Sequence, residues 1–270
     1  MKHLFLLCYT YAVTLGLLAG TLTSCAPTLT SYQLQPISGD VAQIDGRSVT
    51  KAEQNGVGVV ASFEREDLEF VTLDVEIKNH TDHSIAVNPA DFHFTALGTT
   101  QEPLPDPLNA SLSLMRSAAD PTYEAGRMSL KRKEEEKRLK RAKVFNTILM
   151  VAAIASDVSS SSNSRSYREY ANNRVAHSFA YQGIAVKRAI DHSTFADRMQ
   201  RYDYEEYRWR ELALKSNTLA PGESVRGFVY LPKVQDARYL AVNYTVPEQA
   251  DVPLLFKQEL VQQKKGRQRR

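Results

Sequence analysis

The chain has 270 residues, 43% of them hydrophobic and 24% charged, with a formal net charge of +3. That supplies enough apolar material for one or two packed domains and excludes a fully disordered chain. Ordinary glycine and proline counts exclude a collagen-like chain. The only cysteines, Cys8 and Cys25, exclude a disulfide-stapled scaffold or a cysteine-ligated metal site.

Lys2 is followed by an apolar run from Leu4 to about Ala19, and small residues then lead to Cys25. This pattern predicts a secretory signal over residues 1–24. A retained membrane helix is the rival reading. Tyr9, Thr10, Tyr11 and Thr14 dilute the run, and it is near the lower length limit for a span.

The string Leu22-Thr23-Ser24-Cys25 resembles the lipobox of bacterial lipoproteins. The resemblance implies a diacylglycerol on the Cys25 sulfur, cleavage after Ser24 and acylation of the new amino group. Anchoring by several acyl chains exceeds the marginal hold of one. Ala26 and Pro27 follow, not an aspartate after the cysteine, and that resemblance implies outer-membrane sorting. Residues 25–38 then read as a lipidated tether.

Period-2 alternation marks the strands. Gly56–Phe63 is rich in valine. Phe70–Lys78 alternates Val71, Leu73, Val75 and Ile77 with Thr72, Asp74, Glu76 and Lys78, which predicts one buried and one wet face. The polar turn Asn79–His83 follows, then short strands at Ile85–Val87 and Phe92–Ala96. A second cluster closes the chain: Val225–Leu231, Leu240–Val246 and Leu254–Leu260.

Between the clusters the pattern turns helical. Arg127–Lys143 carries nine bases against Glu134, Glu135 and Glu136. One helix is expected to run on through the apolar Val144–Ala155, with Leu139, Ala142, Phe145, Leu149 and Ala152 as a stripe. That apolar stretch is about 18 Å of helix, too short alone for the ~30 Å hydrocarbon core. Burial between the sandwich and neighbouring helices is expected, with a protein interface or oligomer as the second reading and a dip into one leaflet beside the basic stretch as the third. Ser159–Ser164 is read as a loop. Further helices are expected over about Tyr170–Ala189, with Val175, Phe179 and Val186 on its buried side, and over about Phe195–Lys215.

The predicted fold is mainly β with a helical insertion: an immunoglobulin-like β-sandwich split by a long helical segment. Its parts are residues 39–121, the helical insertion 122–215, residues 216–262 and a basic tail at 263–270. An independent helical middle domain is the alternative. The stretches LEFVTLDVEIKNHTDHSIAVNPADFHF from Leu68 and LAPGESVRGFVYLP from Leu219 resemble immunoglobulin-like, including telokin-like, modules of bacterial envelope lipoproteins. The matching features are Asn79, Pro89 to Phe92, and Pro221-Gly222 to Gly227. Such modules are commonly non-catalytic, although a fold does not fix a function.

Reactive constellations are sparse. No metal site is expected, with His80, His83 and His93 as weak candidates helped by Asp82 and Asp91. A hydrolase lacks a nucleophile elbow, and His177 and Ser178, adjacent on a helix, point apart. Asp203, Glu205 and Glu206 among Tyr202, Tyr204, Tyr207 and Trp209 could line a glycan groove or lie solvated. Gly56-Val57-Gly58 lacks the rest of a phosphate loop. No cofactor and no nucleic-acid partner are expected.

The expected function is that of a lipid-tethered, non-enzymatic envelope lipoprotein, a protein-binding or assembly scaffold of the outer membrane. Its partners would be the bilayer, through acylated Cys25, and an envelope protein. The candidate interface is Tyr202, Tyr204, Tyr207, Trp209, Arg138 and Arg141. Binding of peptidoglycan or another envelope polysaccharide is the alternative, and an envelope hydrolase comes third.

Overall fold

The computed structural model describes residues 29–263. Cys25, the signal segment expected over residues 1–24 and the basic tail from Lys264 onward lie outside the described residues. Residues 34–258 form the main compact unit. The described strand ends Leu29–Gln33 and Glu259–Gln263 belong to a second, small unit.

The chain runs β1 (Leu29–Pro36), β2 (Asp40–Ile44), β3 (Arg47–Gln54), β4 (Val57–Glu66), β5 (Phe70–Asn79), β6 (Ile85–Val87), β7 (Phe92–Leu97), β8 (Pro105–Asp106), β9 (Asn109–Ser113) and β10 (Met115–Ser117). Two long helices follow, α1 (Pro121–Ser162) and α2 (Tyr167–Tyr207), the second continued by a π-helical turn at Arg208–Leu212. The chain closes with β11 (Asn217–Leu219), β12 (Ser224–Pro232), β13 (Tyr239–Val246) and β14 (Ala250–Gln263). The architecture is therefore mainly β with one helical segment between two runs of strands.

Two five-stranded sheets dominate, in the orders β1-β14-β13-β7-β10 and β12-β5-β4-β3-β2. Strand β5 sits inside the second sheet, antiparallel to both β4 and β12. Strand β12 comes from beyond the helices in sequence, so the fold closes across them. Alternate residues make the core: Phe92, Phe94, Leu240, Val242, Tyr244, Leu254 and Phe256 in one sheet, and Val57, Val59, Val71, Leu73, Val75 and Ile77 in the other. Burying each such side chain contributes roughly 1.5–3 kcal/mol. The Phe92 and Tyr244 rings, partners in register, stack at 4.6 Å.

The alternation on β5 does not separate a dry face from a wet one. Thr72 and Asp74 are buried as well as their apolar neighbours. Asp74 is tied to Arg226 of β12 by hydrogen bonds of 2.9 and 2.6 Å, so a central strand position holds a charge that is paired.

Hairpins β2–β3 and β3–β4 were not foreseen. Both turn through two residues with left-handed backbone, Asp45-Gly46 and Asn55-Gly56. Such turns match the twist of paired strands.

The helical segment also departs from expectation. The stretches read as separate second and third helices are one continuous helix, α2. Asp120 caps α1, accepting from Thr122 N at 2.8 Å with Pro121 in the first turn. Ser166 caps α2 by accepting from Glu169 N at 3.2 Å. These caps take up amides that a helix start leaves unpaired.

Candidate interaction surface

The base of the hairpin is rooted in an aromatic cluster. Trp209 lies 4.0 Å from Tyr230 and 5.4 Å from Phe70 between ring centroids, packed with Ala125, Met128 and Ala213. Trp209 is 3% exposed. It therefore cannot anchor a partner, contrary to the sequence expectation. It occupies the π-helical turn that swings α2 back toward the sheet, where Ala213 N donates to Arg208 O at 3.0 Å. Tyr202 is half-buried against the same cluster.

Arg208 is also buried. Its guanidinium contacts Asp67 at 3.0 Å and Glu205 at 2.8 Å and lies over the Tyr230 ring. Burial pushes the Tyr230 phenol well above its ordinary value, so the ring stays neutral beside these charges.

Tyr204, Tyr207, Arg138 and Arg141 are exposed. Tyr204 also accepts a hydrogen bond from Arg65 at 2.9 Å, which fixes its rim position. Asp203 and Glu206 do not form a free catalytic pair. Both contact Arg132, at 3.0 and 2.9 Å, and Glu206 also takes Arg210 at 2.8 Å. The hydrogen bond from Arg132, aided by Arg210, holds the Glu206 carboxyl below its usual range.

Above this base the seam between the helices is polar. Arg198 reaches Glu135 at 2.7 Å, Asn146 reaches Asp191 at 2.8 Å, and Lys187 also meets Asp191 at 2.7 Å. Nearer the tip, Asp157 receives Arg174 at 3.1 Å and Tyr181 at 3.2 Å. The inward positions on α1, Glu135, Leu139, Ala142, Asn146, Leu149, Ala153, Asp157 and Ser160, follow a spacing of three and four. That is the spacing of two helices facing each other along a seam.

Most of the large apolar side chains face outward instead, apart from inward Leu139 and Leu149 and the buried Ile184. Val144, Phe145, Ile148, Val151, Ile154 and Val158 of α1 are exposed, as are Val175, Phe179, Val186 and Ile190 of α2. Phe179 is 66% exposed and Val151 61%. The expected burial of Val144–Ala155 inside the fold is thus overturned. The β-sheet core forms without these residues, and the seam combines the polar pairs with Leu139, Ala142, Leu149 and Ala153.

Some chemistry-bearing residues converge without forming a reactive set. Ser160 Oγ lies 2.8 Å from His177 Nε2, a pairing that sequence adjacency hid. Asp157, the nearby acid, is engaged by Arg174, Tyr181 and Ser161 rather than orienting that imidazole. A serine nucleophile needs the base held by a third group. His83 contacts Asp82 at 2.8 Å and Gln249 at 2.6 Å, and His80 lies 3.7 Å from Glu53. No group of three or more metal-binding side chains converges among the described residues. A cleft of about 990 Å³ beside the hairpin root is lined by Asn88, Asp120, Thr122, Arg210, Glu211 and Lys215, among others.

No family model, curated protein or solved structure matches the chain.

Proposed function

We propose that this chain is a lipid-tethered, non-catalytic assembly module of the bacterial envelope, built on an immunoglobulin-like sandwich. The observation that carries the reading is the hairpin: two helices of about 60 Å whose polar groups pair with each other while their outer surfaces are left uncovered. A long element with satisfied polar groups and an open exterior is suited to contact, not to turnover. Acylation at Cys25 would hold it at a membrane and raise the local concentration of its contact faces.

The protein-facing part of this surface is the basal half. Tyr204 and Tyr207 stand exposed beside the basic stretch that includes Arg138 and Arg141. Exposed aromatic rings and arginines are the residue types that dominate protein interfaces.

The test is photocrosslinking in native membranes from single positions at Arg138, Tyr204 and Tyr207, followed by mass spectrometry. A stoichiometric envelope-protein adduct from these positions is expected. Adducts only to cell-wall glycan, or none, would overturn the reading. A hairpin shortened by replacing residues 140–195 with a brief turn keeps the Trp209 root and should retain that adduct.

A further inference from the structure

We propose that the distal half of the helical hairpin inserts into a lipid bilayer, its outer surface in hydrocarbon and its polar seam shielded within. This rests on reading the hairpin as a contact element and names what its outer half contacts.

The first argument is the arrangement of polarity. Helix α1 is long and apolar enough to cross a membrane by length and composition. It is neither an amino-terminal leader nor a buried core helix, since its apolar stretch is almost wholly exposed. The exposed residues form a broad face and not a narrow seam: Phe145, Ile148, Val151, Ile154 and Val158 spread over about half the circumference of α1, opposite the seam. A partner helix would cover a stripe, whereas hydrocarbon covers every outward direction. Polar residues in membrane helices face the bundle interior and pair there. Asn146, Asp157 and Asp191 do so here, and Arg174 and Lys187 reach them from side chains that stay 56% and 39% exposed. Arg174 and Arg188 are the charged departures on α2, and Arg188 lines a groove with Asn146, Thr147 and Asp191.

The second argument is length. Between Lys143 and Arg165 the only charged residue of the chain is Asp157, which is buried in the seam. The helical part, Val144–Ser162, rises about 28 Å, and the hydrocarbon core is about 30 Å thick. Short of its last turn, the backbone groups of this segment are satisfied within the helix, as hydrocarbon requires, and the open carbonyls fall at the tip beyond the apolar stretch.

The third argument is what bounds the belt. Lys137, Lys140, Arg141 and Lys143 are exposed at its lower end, and Arg165 and Arg168 at the tip. Cations at both levels complement headgroup phosphates. Tyr167 and Tyr170 are exposed next to the tip, and aromatic rings of this kind favour the membrane–water interface.

The full-length, acylated protein is reconstituted in vesicles of phosphatidylethanolamine and phosphatidylglycerol. An environment-sensitive fluorophore is attached at Val151→Cys, Phe179→Cys or, as a basal reference, Lys133→Cys. Aqueous iodide and lipids brominated in their acyl chains serve as quenchers. Labels at 151 and 179 should shift to the blue, lose iodide quenching and be quenched by the brominated lipids, while the label at 133 stays open to iodide. Equal iodide quenching at all three positions would overturn insertion. Protection from both quenchers at 151 and 179, with energy transfer between copies, would also overturn it and assign this belt to a protein interface. A second variant, Ile148→Asp with Val151→Asp, should restore iodide quenching at 179 without changing the melting of the β core. Unchanged protection there would contradict the proposal. Loss of basal crosslinks with retained bromolipid quenching would sink the partner reading and leave insertion standing, and the converse result would do the opposite.

Discussion

Asn146 donates a 2.8 Å hydrogen bond to Asp191 across the hairpin seam, while Phe145, the next residue along the same helix, is exposed on the outside. Two neighbours in sequence thus occupy inverted environments: the amide is 2% exposed and the phenyl ring 52%. The hydrogen bond from Nδ2 offsets part of the cost of keeping the amide inside, since an unpaired buried polar group costs roughly 1–3 kcal/mol, and Oδ1 is buried without a hydrogen bond. Asn146→Ala is expected to lower stability by about 1 kcal/mol. The effect should be local, raising amide exchange along the distal halves of α1 and α2 more than in the β-sheets. Uniform loss of protection would contradict the seam role.

Trp209 should behave as a core residue. Trp209→Ala is expected to cost about 3–5 kcal/mol, because the ring packs against Phe70 and Tyr230 at the root of the hairpin. Chemical denaturation should show a lower midpoint for the whole main unit. A stable variant that lost only partner binding would return Trp209 to the surface role that its residue type suggested.

Gly227 is a close-approach position on β12. A Cβ there would lie 2.5 Å from Leu214 Cα and 2.6 Å from Leu214 N, both backbone atoms. Leu214 N donates to Phe228 O at 2.9 Å, so the segment leaving the hairpin is strapped to this strand. Gly227→Ala should destabilise by about 1–3 kcal/mol through overpacking. Calorimetry would test this, with Gly222→Ala as a comparison whose strain comes from positive φ rather than crowding.

The Arg132–Glu206–Arg210 cluster should weaken in acid. The folded state lowers the Glu206 pKa, chiefly through the hydrogen bond from Arg132. A depressed carboxyl pKa contributes stability that is present above the unfolded value, near 4.3, and is lost as pH falls through the folded value. Melting of the hairpin base should therefore decline below about pH 4. Glu206→Gln should remove much of that acid dependence, and an unaltered acid limb in this variant would exclude the cluster as its source.

Strands β7 and β13 were legible because one-in-two burial leaves a period in the sequence, and β4, β5 and β12 because of their apolar content or alternation, although burial on β4 and β5 does not follow that period. Strands β2 and β3 were not, because their residues are mostly exposed and polar. The Asp45-Gly46 and Asn55-Gly56 dipeptides were the available signal, since these pairs accept two successive left-handed residues. The helical character of the middle was also legible, but its sidedness was not. An apolar run reports what avoids water without saying what replaces it. Asn146 and Asp191 are 45 residues apart, and nothing local announces that they meet. Trp209 misled for a related reason: a large ring signals contact area, and only the π-helical turn decides that the contact is internal.

The polar seam also fixes how far the hairpin reaches. An apolar seam tolerates sliding, because one methyl contact resembles the next. Here Glu135–Arg198, Asn146–Asp191 and Asp157–Arg174 sit at three heights along the same pair of helices. A slip of one helical turn, about 5.4 Å, would break all three together. The hairpin is thereby a ruler of set length, and the distance from its root to its tip is written in the spacing of those polar pairs.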